Sequence, residues 1–101
     1  MTTARLEGIY LPSGDIVARE IEGELIIVPL TGGIGRADDE LFTLNGTGRE
    51  IWRRLDGKAS LKELADSLAA EYDAPAGEIE QDLLGLATEL LRRRMIVEAA
   101  V

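Results

Sequence analysis

The side chains with chemical potential in this chain lie in a few short clusters. Arg92-Arg93-Arg94 is a run of cations of the kind that meets phosphate or nucleic acid, although such a run more commonly caps a helix and stays solvated. Gly32-Gly33-Ile34-Gly35 has the glycine content of a phosphate loop, but no lysine-serine pair follows and no helical pattern begins there. Asp38-Asp39-Glu40 offers consecutive carboxylates whose spacing matches no calcium loop, so it reads as a solvated acidic turn. No pair among the other carboxylates is set apart for acid–base work. Trp52 sits beside Ile51 in a helical segment, where a core role is the default. The 101 residues include no histidine and no cysteine. The commonest general base, the commonest zinc ligand, thiolate metal sites and the cysteine nucleophile are therefore all missing. The expectation is a protein that binds rather than one that catalyses: not an enzyme, with no catalytic residue, no metal and no cofactor.

Charge and length narrow the partners. Eleven basic and 19 acidic side chains give a formal charge of −8, which opposes nucleic-acid binding and an anionic membrane surface. The charge is uneven: residues 1–44 carry −5 and residues 45–101 carry −3, with cations gathered at Arg92–Arg94. Hydrophobic residues at 46% and charged residues at 30% fit a soluble globular chain, and the length fits one domain over 1–101. The first eight residues, which include Glu7, lack the apolar run of a signal peptide. The longest apolar run, Leu25 to Leu30, is strand-sized, so no membrane span is expected and the expected location is cytoplasmic.

The elements divide into a strand half and a helix half. Residues 1–15, with Pro12, Ser13, Gly14 and Asp15, read as an irregular arm. Ile16–Ile21 reads as a strand, Glu22-Gly23 as a hairpin tip, and Leu25–Leu30 as a second strand that is apolar on both faces and so expected to be covered on both. Pro29 marks a strand end or an edge. After the loop at 31–40, Glu40–Leu44 reads as a third strand. From Asn45 onward, over 45–94, the period changes from 2 to 3.6 and three helices are expected. Asn45 is placed to cap the first, which carries Ile51, Trp52 and Leu55 and ends at Asp56-Gly57, with glycine at C′. Ser60-Leu61-Lys62-Glu63 is a capping box for the second. Pro75 falls in the first turn of the third, and residues 95–98 are the candidate for a short terminal strand.

The third helix carries two apolar stripes. Ile79, Leu83, Leu86 and Leu90 form the first, Leu84, Ala87 and Leu91 the second. Either both stripes meet the rest of the core, or part of the second lines a groove beside the sheet. Gly85, inside this helix, marks either a close backbone approach or a tolerated cost.

The segment from residue 40 to residue 98 resembles the PqqD family. The resemblance rests on Glu40-Leu41-Phe42-Thr43-Leu44-Asn45-Gly46-Thr47-Gly48 followed by Ile51-Trp52, and on Leu55-Asp56-Gly57-Lys58 leading into Ser60-Leu61-Lys62-Glu63-Leu64. Glu71-Tyr72, Ile79-Glu80-Gln81-Asp82-Leu83 and Leu90-Leu91 keep the family's order. One departure is Arg94, where the family often has glycine before the last apolar pair. The resemblance implies an α+β fold: a three-stranded antiparallel sheet followed by a three-helix, winged-helix-like bundle. It also implies a non-catalytic peptide chaperone, or recognition element, for ribosomally made, post-translationally modified peptides. Such a module captures the leader of a precursor peptide and presents it to a modifying enzyme such as a radical SAM enzyme, a cyclase or a leader peptidase. In this family the leader adds as a strand to the third strand and packs against the third helix.

These residues are physically suited to that role. Leu41, Phe42, Thr43 and Leu44 are the expected edge for β-augmentation. Leu84, Ala87 and Leu91 are the expected groove wall, and Arg93 and Arg94 the expected partners of acidic leader residues. The alternative is a winged-helix nucleic-acid-binding or regulatory domain. A DNA-reading helix carries cations and amides along its N-terminal half, whereas Glu78, Glu80 and Asp82 stand there, with Gln81 the sole candidate reader.

Overall fold

The computed structural model describes residues 3–30 and 41–99. In chain order the elements are β1 (Tyr10–Pro12), β2 (Ile16–Ile21), β3 (Glu24–Pro29), β4 (Phe42–Leu44), α1 (Gly46–Arg54), α2 (Leu61–Tyr72), α3 (Ala76–Arg92) and β5 (Ile96–Glu98). The expected α+β architecture is present: β2, β3 and β4 form an antiparallel sheet, and three helices follow. The loop at 31–40, including Gly32–Gly35, Asp38, Asp39 and the expected strand residue Glu40, lies outside the described residues.

The sheet is built on a tight hairpin. Glu22 and Gly23 both take positive φ, 51° and 84°. Two successive residues of that kind make the type I′ turn, whose twist matches the flanking strands. The register then runs without a bulge from Ile21↔Glu24 to Ile16↔Pro29. β4 pairs with β3 at Leu25↔Leu44, Ile26↔Thr43 and Ile27↔Phe42. Alternation buries Leu25, Ile27 and Leu44 on one face. The expectation that both faces are covered fails: Val28 and its partner Val17 are 40% and 37% exposed on the other side. Among the described residues, full burial in this sheet is confined to the face carrying Leu25 and Ile27.

The helices mostly follow their local signals. Ser60 Oγ accepts the Glu63 N–H (3.2 Å) and Glu63 Oε1 accepts the Ser60 N–H (2.9 Å), completing the capping box of α2. Asn45 stands at the N-cap of α1 with extended backbone, but its side chain makes no capping hydrogen bond. Its carbonyl instead takes the Gly48 N–H at 3.1 Å. Leu55 is the C-cap of α1, so Gly57 falls one position beyond the expected C′. Its φ of 78° serves a junction: its N–H donates to Tyr10 O (2.9 Å), with Leu11 packed over it. Pro75 is the N-cap of α3 rather than a first-turn residue. On α3 the buried set is Ile79, Leu83, Ala87 and Leu90. Ala87 thus belongs to the core, and Leu86 is only half-buried, the reverse of the expected division.

Residues 10–12 are not irregular. β1 pairs antiparallel with β5 through Tyr10↔Glu98, Leu11↔Val97 and Pro12↔Ile96. The arm before it is anchored as well. Leu61 N–H donates to Gly8 O (3.0 Å) and Lys62 N–H to Leu6 O (2.9 Å), supplying acceptors for amides that the first turn of α2 leaves free. Ala4 N–H donates to Thr88 Oγ1 on α3 (3.0 Å). Tyr10 is buried, and its hydroxyl accepts the Arg5 N–H (3.0 Å). Arm and C-terminal strand close together around the helices, although more than 80 residues separate the paired positions.

Candidate functional site

β4 is the terminal strand of its sheet, in the order β2-β3-β4. Which of its amides face outward follows from alternation. Leu30 N–H donates to Asp15 O (2.8 Å), so residues 15 and 30 form a hydrogen-bonded pair in the β2–β3 register. In an antiparallel ladder such pairs alternate, so Glu24, Ile26 and Val28 point their amides to β2, and Leu25 and Ile27 point theirs to β4. Phe42 and Leu44 therefore bond inward to β3. Thr43 turns its N–H and C=O away from the sheet, and its side chain is exposed. Leu41, just before β4, is 54% exposed.

The helix beside this edge is α3, joined to it by Arg93. The Arg93 guanidinium lies over the Phe42 ring, 4.8 Å from its centroid. Such stacking is worth about 0.5–1 kcal/mol at an exposed site. Arg93 Nε also donates to Glu89 Oε2 at 2.8 Å, one helical turn back. At helical spacing Asp82, Leu86, Glu89 and Arg93 share one stripe, four, three and four residues apart. Of this stripe, Arg93 is the residue that reaches β4.

The expected groove wall is differently placed. Ala87 is 1% exposed and offers no surface. Leu84 and Leu91 are half-buried and share a stripe with Thr88, whose hydroxyl is held by the N-terminal arm. They face the arm side of α3, not the side of Phe42. Leu44 offers the outer edge neither its side chain, which is 7% exposed, nor its backbone groups, which bond inward to β3. Arg93 stands over Phe42 at the β4 margin. Arg94, exposed, follows at φ 60° and closes the helix with its N–H on Leu91 O (3.0 Å). Leu86, expected in the core stripe, and Glu89 were not among the expected site residues. The available signal was their spacing of seven and four from Arg93, which ties them to whichever face holds that arginine.

Two groups of ion pairs brace the sheet and bundle near the site. Arg49 donates to Gly23 O at the hairpin tip (2.9 Å), and Arg53 pairs with Glu20 of β2, so α1 holds the hairpin. Arg54 bridges Glu50 and Glu71 (3.1 and 2.7 Å), linking α1 to α2. Hydrogen bonding to both carboxylates raises the Arg54 pKa, and the Glu71 carboxyl is lowered in turn by Arg54. Among the described residues there is no cluster of three or more potential metal-ligating acids. No helix among them is long and apolar enough to cross a membrane.

Among the described residues this is an α+β fold in which a three-stranded sheet, with β2 and β4 at its two margins, is backed by three helices, and the last helix meets the β4 margin through Arg93. The family model described as Coenzyme PQQ synthesis protein D (PqqD) matches residues 24–96, and the chain belongs to the PqqD family. A PqqA binding protein of Xanthomonas campestris pv. campestris (strain 8004) is 38% identical over 60 residues, 59% of this chain and 65% of that protein. One of Gluconobacter oxydans (strain 621H) is 36% identical over 63 residues, 62% and 66% of the two chains. The chain thus spans about two thirds or slightly less of the length of these curated relatives. The fold matches that of TbiB1 in complex with the TbiA(beta) leader peptide, with TM-score 0.73, 24% identity, and 90% and 99% of the two chains covered. It also matches the solution structure of the PqqD truncation of Methylobacterium extorquens PqqCD, a stand-alone recognition element (TM-score 0.73, 19% identity, 95% and 96% covered).

Proposed function

We propose that this chain is a non-catalytic peptide-recognition domain that takes up the leader of a ribosomally made precursor peptide as an added strand on β4. The carrying observation is the outward N–H and C=O of Thr43 on a sheet margin beside α3. A margin of that kind is a pairing template that proteins usually blunt, so one left beside a helical wall suits a strand-forming partner. The relatives named for binding PqqA, and TbiB1, whose structure holds the TbiA(beta) leader peptide, support the same reading. The bound strand would lie between β4 and the stripe of Leu86, Glu89 and Arg93, with Phe42 as the apolar floor. Leu84, Ala87 and Leu91 support α3 from its other sides. The held precursor is then presented to a separate modifying enzyme, a radical SAM enzyme, a cyclase or a leader peptidase, in the cytoplasm. The acidic stretch of Glu78, Glu80 and Asp82 on α3 gives no support to a nucleic-acid-reading role.

Amide NMR titration with a synthetic leader of the precursor encoded beside this gene tests the reading. Resonances of Leu41–Leu44 and of the Leu86–Arg93 face should shift. Shifts confined to the arginine tip, or none with any neighbouring peptide, would overturn it. Thr43→Pro should weaken binding at least about tenfold through the lost outward N–H while leaving the fold intact, because that amide makes no bond within the sheet.

A further inference from the structure

We infer that Arg93 is a specificity-determining cover on the edge: it selects leaders carrying an acidic residue at the position that pairs opposite Phe42. This rests on the strand-addition reading above. Phe42 bonds inward to β3, so on a leader added antiparallel to β4 the residue opposite Phe42 occupies a non-hydrogen-bonded position. Such pairs bring side chains closest, with Cα atoms about 4.5 Å apart. The partner's side chain also falls on the Phe42 face of the sheet, since directly opposed residues share a face. That face is roofed by the Arg93 guanidinium, 4.8 Å above the Phe42 ring and held at 2.8 Å by Glu89.

An incoming side chain at this position therefore meets a cation that already has two partners on its own chain. An apolar side chain would press on the guanidinium without satisfying it. A carboxylate would take over donors of the planar fork, which accepts two acidic partners at once or exchanges one for the other. Arg93 is partly exposed, with 39% of its side chain accessible, so it can turn towards an incoming strand without leaving a buried charge behind. Glu89 is in this scheme a competitor: it positions Arg93 in the free protein and yields it to the peptide.

The sign of the Glu89 effect makes the inference testable. A purely structural ion pair would lose binding when either partner is removed. A competitor predicts opposite signs for the two. The probe is a display library of random 12-residue peptides selected on the full chain, with selected peptides remade synthetically for titration. Wild-type selection should enrich Asp or Glu at one position, fixed by its nuclear Overhauser contacts to Phe42. Arg93→Gln should abolish that enrichment and weaken the acidic peptides about tenfold. Arg93→Glu should shift the enriched residue to Lys or Arg. Glu89→Gln should strengthen the acidic peptides about threefold. Enrichment that survives Arg93→Gln, or a loss of affinity in Glu89→Gln, overturns the inference while strand addition stands. Selected peptides that leave the Thr43 amide unshifted would instead sink the strand-addition reading. Each variant is checked for native amide dispersion first, and both side chains are on the helix exterior.

Discussion

Gly85 lies on the exposed side of α3, and among the described residues no group beyond its own stretch of helix stands within 4 Å of the place a Cβ would occupy. No backbone approaches there, so this glycine is a tolerated cost. Gly85→Ala should raise stability by about 0.5–1 kcal/mol through helix propensity and reduced freedom of the unfolded chain. Thermal unfolding should show the midpoint rising by a few degrees. Arg94 is the opposite case, a side chain where glycine would relax the backbone. Its φ of 60° is the left-handed conformation that ends many helices, and the family's frequent glycine at this place suits it. Arg94→Gly should stabilise the fold by about 1 kcal/mol in denaturant titration. If Arg94 also contacts the leader, the same variant loses affinity, which separates the two roles. Both sites were visible in the sequence as an anomaly. Which anomaly was harmless and which was strained depended on neighbours and on φ.

At the scale of elements, the strands and helices were legible wherever the signal was local. The hairpin tip at Glu22-Gly23 and the capping box at Ser60–Glu63 are set by a few adjacent residues, and both formed. The contact between α1 and α2 was not legible, because it joins Arg54 to Glu71 across a turn. That bridge has a pH signature. Arg54 holds the Glu71 carboxyl below its ordinary range. A depressed carboxyl contributes stability above its unfolded pKa, and this is lost as pH falls through the folded value. Carbon-detected NMR titration should give a Glu71 midpoint below that of an ordinary glutamate. In Arg54→Met the midpoint should return to the ordinary range, and the acid-side loss of stability from this group should vanish. High salt should weaken the effect, since the Glu71 side chain is half exposed.

For the whole molecule, the arm and the C-terminal strand matter most. β1 and β5 pair across nearly the full length of the described chain, and the arm lends Gly8 O and Leu6 O to the first turn of α2. Removing residues 1–8 should cost about 1–3 kcal/mol, the worth of those hydrogen bonds and of the buried Ala4. Hydrogen exchange should quicken at the Leu61 and Lys62 amides first. If those amides keep their protection, the arm does not hold α2. The arm also decides how α3 is used. By occupying Thr88 it commits the Leu84–Leu91 stripe to the interior side and leaves Arg93 beside β4.

Composition, period and capping residues determined by themselves that this is an α+β chain, with a strand half and a helix half. The missing histidine and cysteine removed the commonest general base, the commonest zinc ligand and the thiol nucleophile. Those properties are local or summed over the chain, so no partner element is needed to read them. The tertiary structure alone decided that Thr43 faces outward, that Ala87 belongs to the core, and which stripe of α3 borders the edge. A helix with two apolar stripes can be rotated about its axis at little cost in periodicity. Contacts far apart in sequence, Ala4 with Thr88 and Phe42 with Arg93, set that rotation.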